Sequence, residues 1–349
     1  MKHLYIWILT AITTIAALVV IWGYSSTPAP TPIIPSPIAD TVPIASVSAQ
    51  PTPEASIVTI LTTGDMMLGR SVNYLGWKKG DWGWSWRELA QTMPDFDLVI
   101  ANLENPIIAD CPLTNEGMIF CAHASAAAAL VESPIDVITL ANNHIANYGN
   151  DGITQTQTLL KQAGQDYVSA GELYITDLDH HSIGILAFDD TVSPLDEASY
   201  SQAITQAASR VDILLVALHF GQEYRYQPLP RQQELAHLAI EAGAQVVVGN
   251  HSHWLGPVEL YQDGAIIYSH GNLIFDQMWS EETKQGIAAA WQFSDGRLSA
   301  IHLYPIYITD YGLAHWEQGS QRGQQILDIM QRISQLGTFV DDHLVISVL

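Results

Sequence analysis

From residue 57 onward the chain alternates short apolar runs with longer stretches of helical period. Strands are predicted at 57–63, 97–103, 136–141, 182–188, 211–218 and 245–249, and helices at 84–93, 125–132, 151–163, 200–209 and 231–242. Apolar strands separated by helices imply βαβ units and a buried, partly parallel sheet. After residue 255 the character changes. Asp263-Gly264 and Asp295-Gly296 each fall between alternating segments, 258–261 with 265–269 and 288–293 with 298–304, which is a hairpin signal. A last amphipathic helix is predicted over 320–336. The pattern therefore predicts an α/β half followed by a more antiparallel half, packed as two sheets with helices outside.

The N-terminal segment follows another pattern. Residues 4–22 carry no charge, and nineteen residues in a helix rise about 28 Å, close to the thickness of a bilayer's hydrocarbon core. Lys2 precedes this run and no Lys or Arg follows until Arg70, which places the N-terminus in the cytoplasm and the rest outside. The length favours an uncleaved, single-pass anchor; secretion after signal cleavage is the alternative, with Gly23-Tyr24-Ser25 a weak cleavage site. Eight of the 17 prolines lie in residues 25–55, a composition that forms an extended spacer rather than a core. The expected organisation is a membrane segment at 1–24, a linker at 25–55 and one folded domain at 56–349.

Composition narrows the partners. A formal charge of −23 excludes nucleic acid, whose phosphates require clustered Lys and Arg. Six of the twelve basic residues after Lys2 sit near the motifs below (Arg70, Lys78, Lys79, Arg87, Arg225 and Arg231), an arrangement expected to draw an anionic group to the site. The two cysteines, Cys111 and Cys121, suit a loop-closing disulfide in an oxidising location, with two free thiols the other possibility. Trp77, Trp82, Trp84 and Trp86 crowd one loop and helix start, and are read as packing and loop anchors, with a stacking platform, a lid or a membrane-facing patch as the alternatives.

Metal-capable residues fall at strand ends. Asp65 follows the first strand, Glu104 the second, Asn142-Asn143-His144 the third, His219 the strand over 211–218, and His251-Ser252-His253 the strand over 245–249. Carboxyl ends of parallel strands line the ligand crevice of α/β sheets. Mixed N and O donors suit Zn, Mn, Fe, Co or Ni better than Ca. Two such ions bridged by an acidic residue could clamp the oxygens of an in-line displacement. A Ser/His/Asp hydrolase is rejected, since nothing resembles a Gly-x-Ser-x-Gly elbow.

Six ordered motifs now carry a resemblance. They are Gly64-Asp65-Met66-Met67-Leu68-Gly69-Arg70, Asn102-Leu103-Glu104, Ala141-Asn142-Asn143-His144, His219-Phe220-Gly221-Gln222-Glu223-Tyr224, Gly249-Asn250-His251-Ser252-His253 and Tyr268-Ser269-His270-Gly271-Asn272-Leu273-Ile274-Phe275-Asp276. Together they resemble the capsule-synthesis CapA family, also called the poly-γ-glutamate synthesis family, which is similar to calcineurin-like metallophosphatases. The resemblance implies an α/β fold, a four-layer α/β/β/α metallophosphatase-like sandwich preceded here by the N-terminal membrane helix. It implies two divalent metals (Mn, Zn or Fe) held by Asp65, Glu104, Asn143, His219, His251 and His253. His144 would assist the leaving group, and Arg70 would recognise a phosphate or carboxylate. The metallophosphatase Asp-x-His opening is Asp65-Met66-Met67 here, which leaves one metal without a His ligand. Implied partners are an anionic polymer or a phosphorylated or carboxylate substrate, and a membrane synthase complex. The implied activity is hydrolysis by a metal-activated water, with a non-catalytic accessory role in polymer assembly or export as the alternative.

Overall fold

A computed structural model describes residues 56–348. The apolar run at 4–22 and the proline-rich linker lie outside the described residues. Among those described, no helix is long and apolar enough to cross a membrane.

Two sheets stack face to face. The first runs, edge to edge, through Thr338–Val340, His343–Ser347, Arg297–Thr309, Gln285–Ser294, Ile57–Met66, Leu98–Leu103, Val137–Thr139 and Asp166–Val168, with Asn272–Ile274 and Leu313–Trp316 paired off this path. The second runs through Val258–Tyr261, Gly264–Ile267, Val246–Asn250, Ile213–His219, His181–Asp189 and Leu173–Leu178. Strands next to the ligand-bearing ends pair in parallel in both sheets, as expected for strands joined by helical crossovers.

Alternating side chains explain the layering. One face of each sheet contributes to a shared core, with Ile60, Ile100 and Val137 meeting Ile185, Leu215 and Val248. The opposite face of the first sheet packs Leu61, Val99 and Ile138 against Ala126, Leu130 and Leu160 of the Ser125–Leu130 and Gly149–Ala163 helices. The outer face of the second packs Leu186, Val216 and Val247 against the Glu197–Ala208 and Pro230–Glu241 helices. Helices thus cover both outer faces. Burying a side chain the size of Leu in such layers contributes about 1.5–3 kcal/mol each.

Two expectations need correction, and one helix was not expected. The antiparallel C-terminal part forms no separate half: one hairpin extends the second sheet, while the Gln285–Ser294 and Arg297–Thr309 hairpin extends the first beside Ile57–Met66. The helix predicted over 84–93 shrinks to Leu89–Thr92, because Trp84 and Trp86 both turn into the core. In its place a helix unmarked in the sequence spans Arg70–Lys79. It buries Ser71, Val72, Asn73 and Gly76, so its inward face carries no apolar period to read.

Candidate metal centre

The ends of both sheets meet at one pit. Across the second sheet Asp189, His219 and Asn250 stand in register. In the first, Asp65 pairs with both Asn102 and Asn272 after a bulge between Thr62 and Asp65. A bulge re-aims the side chains that follow it. Gly64 permits the close approach, since a Cβ there would lie 2.2 Å from the Gly271 carbonyl oxygen.

All six expected ligands converge, and Glu104 is central. It is fully buried, yet neither carboxylate oxygen has a hydrogen-bond partner. His219 Nε2 lies 3.8 Å, His253 Nε2 3.7 Å and His144 Nε2 4.0 Å from its Oε1. On one side, Asn143 Oδ1 and His251 Nδ1 approach His219 Nε2 at 2.9 and 3.2 Å. On the other, His253 Nδ1 lies 3.4 Å from Asp65 Oδ2. Two clusters result, Glu104/His219/His251 and Asp65/Glu104/His253, each with donor atoms within 4.8 Å of one another. Glu104 belongs to both.

A shell of amides orients these groups. The Asn142 amide donates to Asn102 Oδ1 at 3.0 Å, and the Asn102 amide donates to Asp65 Oδ1 at 2.8 Å. Asn250 donates to the same oxygen at 2.8 Å, and the His251 backbone N–H donates to Asp65 Oδ2 at 3.0 Å. Asn272 donates to the Thr283 carbonyl at 2.8 Å, which leaves its own oxygen facing His253 Nδ1 at 3.0 Å. His253 therefore turns its Nε2 toward Glu104. Both His251 (φ 94°) and His253 (φ 57°) hold left-handed backbone conformations, at about 1–3 kcal/mol each, a strain typical of functional turns.

The electrostatics favour a cation. Burial pushes the Glu104 carboxyl well above its usual range, and the charge of Asp65 adds to this. Burial also raises Asp65, but hydrogen bonds from His253 and Asn250 and its position between the His219 and His253 rings outweigh it and hold the carboxyl well below normal. Burial lowers His219 strongly and pushes His251 down to about 4, so both imidazoles remain neutral with a free lone pair at neutral pH. Neutral imidazoles around an unpaired carboxylate fit a divalent metal, which would supply the missing positive charge.

His144 lies at the rim, with Nε2 toward Glu104 and Nδ1 3.1 Å from Asn147 Oδ1. Its ring packs on Phe120, 4.2 Å between centroids, and the Arg70 guanidinium lies 4.6 Å from the centre of the same ring. Phe120 adjoins Cys121, which is bridged to Cys111. Met67, where a further His ligand would stand, is buried with Phe120, Phe275 and Ile308, and its sulfur accepts from the Gly69 N–H.

Three of the six basic residues near the motifs are ion-paired. Arg70 pairs with Asp276, Arg87 with Asp81, and Arg231 with Asp190, Glu197 and Glu234. These three charges are compensated within the chain, whereas Lys78, Lys79 and Arg225 form no ion pair among the described residues. The tryptophans do pack as anchors: Trp84 and Trp86 are buried and Trp82 stacks on His123. Trp77 is the exception and is exposed.

Sequence reasoning gave no role to Asn147, Phe120 or Asp276, or to the orienting work of Asn102, Asn250 and Asn272. The available signal was an Asn close to three of the ligands, Asn102 before Glu104, Asn142 before Asn143 and Asn250 before His251. His270, also without a role, donates from Nδ1 to the Gly249 carbonyl at 3.0 Å and takes the Thr62 hydroxyl at Nε2 at 2.8 Å. It supports the strand that delivers His251. A cleft of about 770 Å³ between Trp84, Arg87 and Tyr311 shares no residue with the metal centre.

Residues 59–277 match a family described as "Bacterial capsule synthesis protein PGA_cap". The chain is 28% identical over 281 residues to "Capsule biosynthesis protein CapA" of Bacillus anthracis, covering 72% of this chain and 68% of that one. It is 27% identical over 303 residues to "PGA biosynthesis protein CapA" of Bacillus subtilis, covering 80% and 79%. Among solved structures, a hypothetical protein from Thermus thermophilus aligns with a TM-score of 0.50 at 16% identity, covering 72% of this chain and 100% of that one, a likeness of fold alone.

Proposed function

We propose that this chain, which belongs to the bacterial capsule synthesis protein family PGA_cap, is a metal-dependent hydrolase acting in the synthesis or export of an anionic surface polymer of the poly-γ-glutamate kind. The observation that carries the reading is the buried Glu104 carboxylate, unpaired and shared by two converging donor sets. An unpaired buried charge costs several kcal/mol unless a cation compensates it.

Asn143, His219 and His251 would hold one divalent ion and Asp65 and His253 the other, with Glu104 between them. Ions of the Mn, Zn or Fe type would supply a water acidic enough to ionise near neutral pH and a clamp for the reacting oxygens. His144, with Nε2 toward the pit, moves a proton. Arg70, tied to Asp276 and packed over Phe120, fixes the wall beside His144; it reads an anionic substrate only by exchanging Asp276 for it. The resemblance to metallophosphatases supports a phosphoester or related bond as the target. The charge-free run at 4–22 and the proline-rich spacer support a domain held outside the membrane, which reporter fusions at residue 56 test directly.

The activity test uses purified full-length protein loaded with Mn, Zn or Fe and offered phosphoester, amide and γ-glutamyl substrates. Turnover that disappears in Glu104→Gln and falls in His144→Ala supports the hydrolase. A metal-loaded, folded chain inert on all three classes removes that reading and leaves an accessory role in polymer assembly.

A further inference from the structure

We propose that Asn147 is a positioning residue that holds His144 with its proton on Nδ1, so that Nε2 enters the reaction as a proton acceptor. The inference rests on the hydrolase reading for its consequence, but the tautomer itself can be read without any activity.

The starting point is an amide whose orientation is fixed. One atom of the Asn147 side chain lies 2.7 Å from the backbone nitrogen of Phe120. A backbone N–H only donates, so the atom facing it is the oxygen, Oδ1. That same oxygen lies 3.1 Å from His144 Nδ1. A bare imidazole nitrogen opposite a carbonyl oxygen would set two lone pairs against each other, so Nδ1 carries the proton. In a neutral imidazole only one nitrogen is protonated, which leaves the Nε2 lone pair aimed into the pit, 4.0 Å from Glu104 Oε1.

Neighbouring structure holds this arrangement. The Asn147 N–H donates to the His144 carbonyl at 3.0 Å, closing the turn that brings the two side chains together. The Phe120 ring lies against the imidazole at 4.2 Å, and its backbone is braced by the Cys111–Cys121 bridge at the next residue. The His144 backbone N–H is taken by Asn142 Oδ1 at 3.1 Å. A carboxylate in place of Asn147 would favour an imidazolium ready to give a proton; a neutral amide orients the ring without compensating such a charge.

The consequence is an order of events. The water ionises before attack and its proton passes to Nε2; its oxygen then forms the new bond to the substrate. The bond to the leaving oxygen breaks, and that oxygen takes the same proton from Nε2. His144 is neutral before and after, and no outside acid is consumed. The residue expected to protonate the leaving group thus accepts a proton first.

The test is long-range ¹H–¹⁵N spectroscopy of the full-length chain labelled at histidine, metal-free and then with diamagnetic Zn, with His144 assigned by its loss in His144→Gln. The expected result is a protonated-type shift at Nδ1 and an unprotonated-type shift at Nε2. Asn147→Leu should move the proton to Nε2 or average the two signals, and Asn147→Asp should keep Nδ1 protonated while shifting Nε2 toward its protonated-type position. A proton on Nε2 in the unaltered protein overturns the proposal, as does a folded Asn147→Leu variant with the same tautomer as the parent. Should Asn147→Leu fail to fold, the parent spectrum and the Asp variant decide. Absence of turnover alongside the Nδ1–H form counts against the hydrolase and spares the assignment; turnover alongside Nε2–H does the reverse.

Discussion

On one side of Glu104, an amide oxygen and two imidazoles converge, with Asn143 and His251 at 2.9 and 3.2 Å from His219. On the other side, among the described residues, stand Asp65 and His253, and the adjoining wall is apolar, built from Met67, Phe120 and Phe275. The two halves draw on the same kind of strand end but differ in donor number. Ligand count and geometry set affinity for a given ion, so the Asn143/His219/His251 half is expected to be the tighter site and the Asp65/His253 half the weaker. The difference teaches that one shared carboxylate can make a poor half usable: the weaker site depends on Glu104 more heavily because it has fewer other ligands.

The largest effect should come from removing what the halves share. Glu104→Gln is expected to cost both sites more than about 100-fold in affinity, beyond the range seen for orienting groups alone, with metal content falling toward zero by elemental analysis. A variant that kept two ions would break the comparison. Next, the halves should separate. His251→Ala should abolish the tighter binding event, whereas His253→Ala should abolish the weaker and leave the tighter nearly intact, as read by calorimetric titration with Mn. Equal losses in both variants would show the halves to be one cooperative unit.

Met67→His sharpens the comparison from the other direction. A His there adds a donor to the poorer half and should tighten the weaker event by about tenfold or more. It also places a polar ring in an apolar cluster, at about 1–3 kcal/mol of metal-free stability. Thermal unfolding with and without Mn separates the two effects.

A further prediction concerns the support beneath the richer half. Burial pushes His270 down to about 4 from 6.5. A folded pKa below the unfolded one means that this stability is complete above about pH 6.5 and is lost as pH falls through about 4, an amount of about 3 kcal/mol at most. His270→Leu should therefore flatten the dependence of Tm on pH between 6.5 and 4. An unchanged slope would place the acid sensitivity elsewhere.

How much of this could be read in the sequence follows from where the signal lies. Asp65, Glu104, Asn143, His219, His251 and His253 stand out because each interrupts or ends an apolar strand, where a polar residue has few other reasons to sit. Both late hairpins were legible from Asp-Gly, although in the first the two-residue turn is Gln262-Asp263, with Gln262 at positive φ and Gly264 already in the strand. The Arg70–Lys79 helix was not legible, since it packs through Ser71, Asn73 and Gly76 rather than through an apolar stripe. Neither was the sharing of hairpins between the two sheets, because local patterning carries no record of which edge a strand will join. Asn147 was invisible for a further reason: its role lies in one oxygen facing two donors from segments far apart in the chain, Phe120 being 27 residues away.

The most direct test of two unequal metal sites bridged by Glu104 is calorimetric titration of Mn into the chelator-stripped, folded full-length chain. Two equivalents should be taken up in two unequal steps, the weaker lost in His253→Ala and strengthened in Met67→His. A single equal class of sites, or no uptake at all, would contradict the bridged, unequal pair.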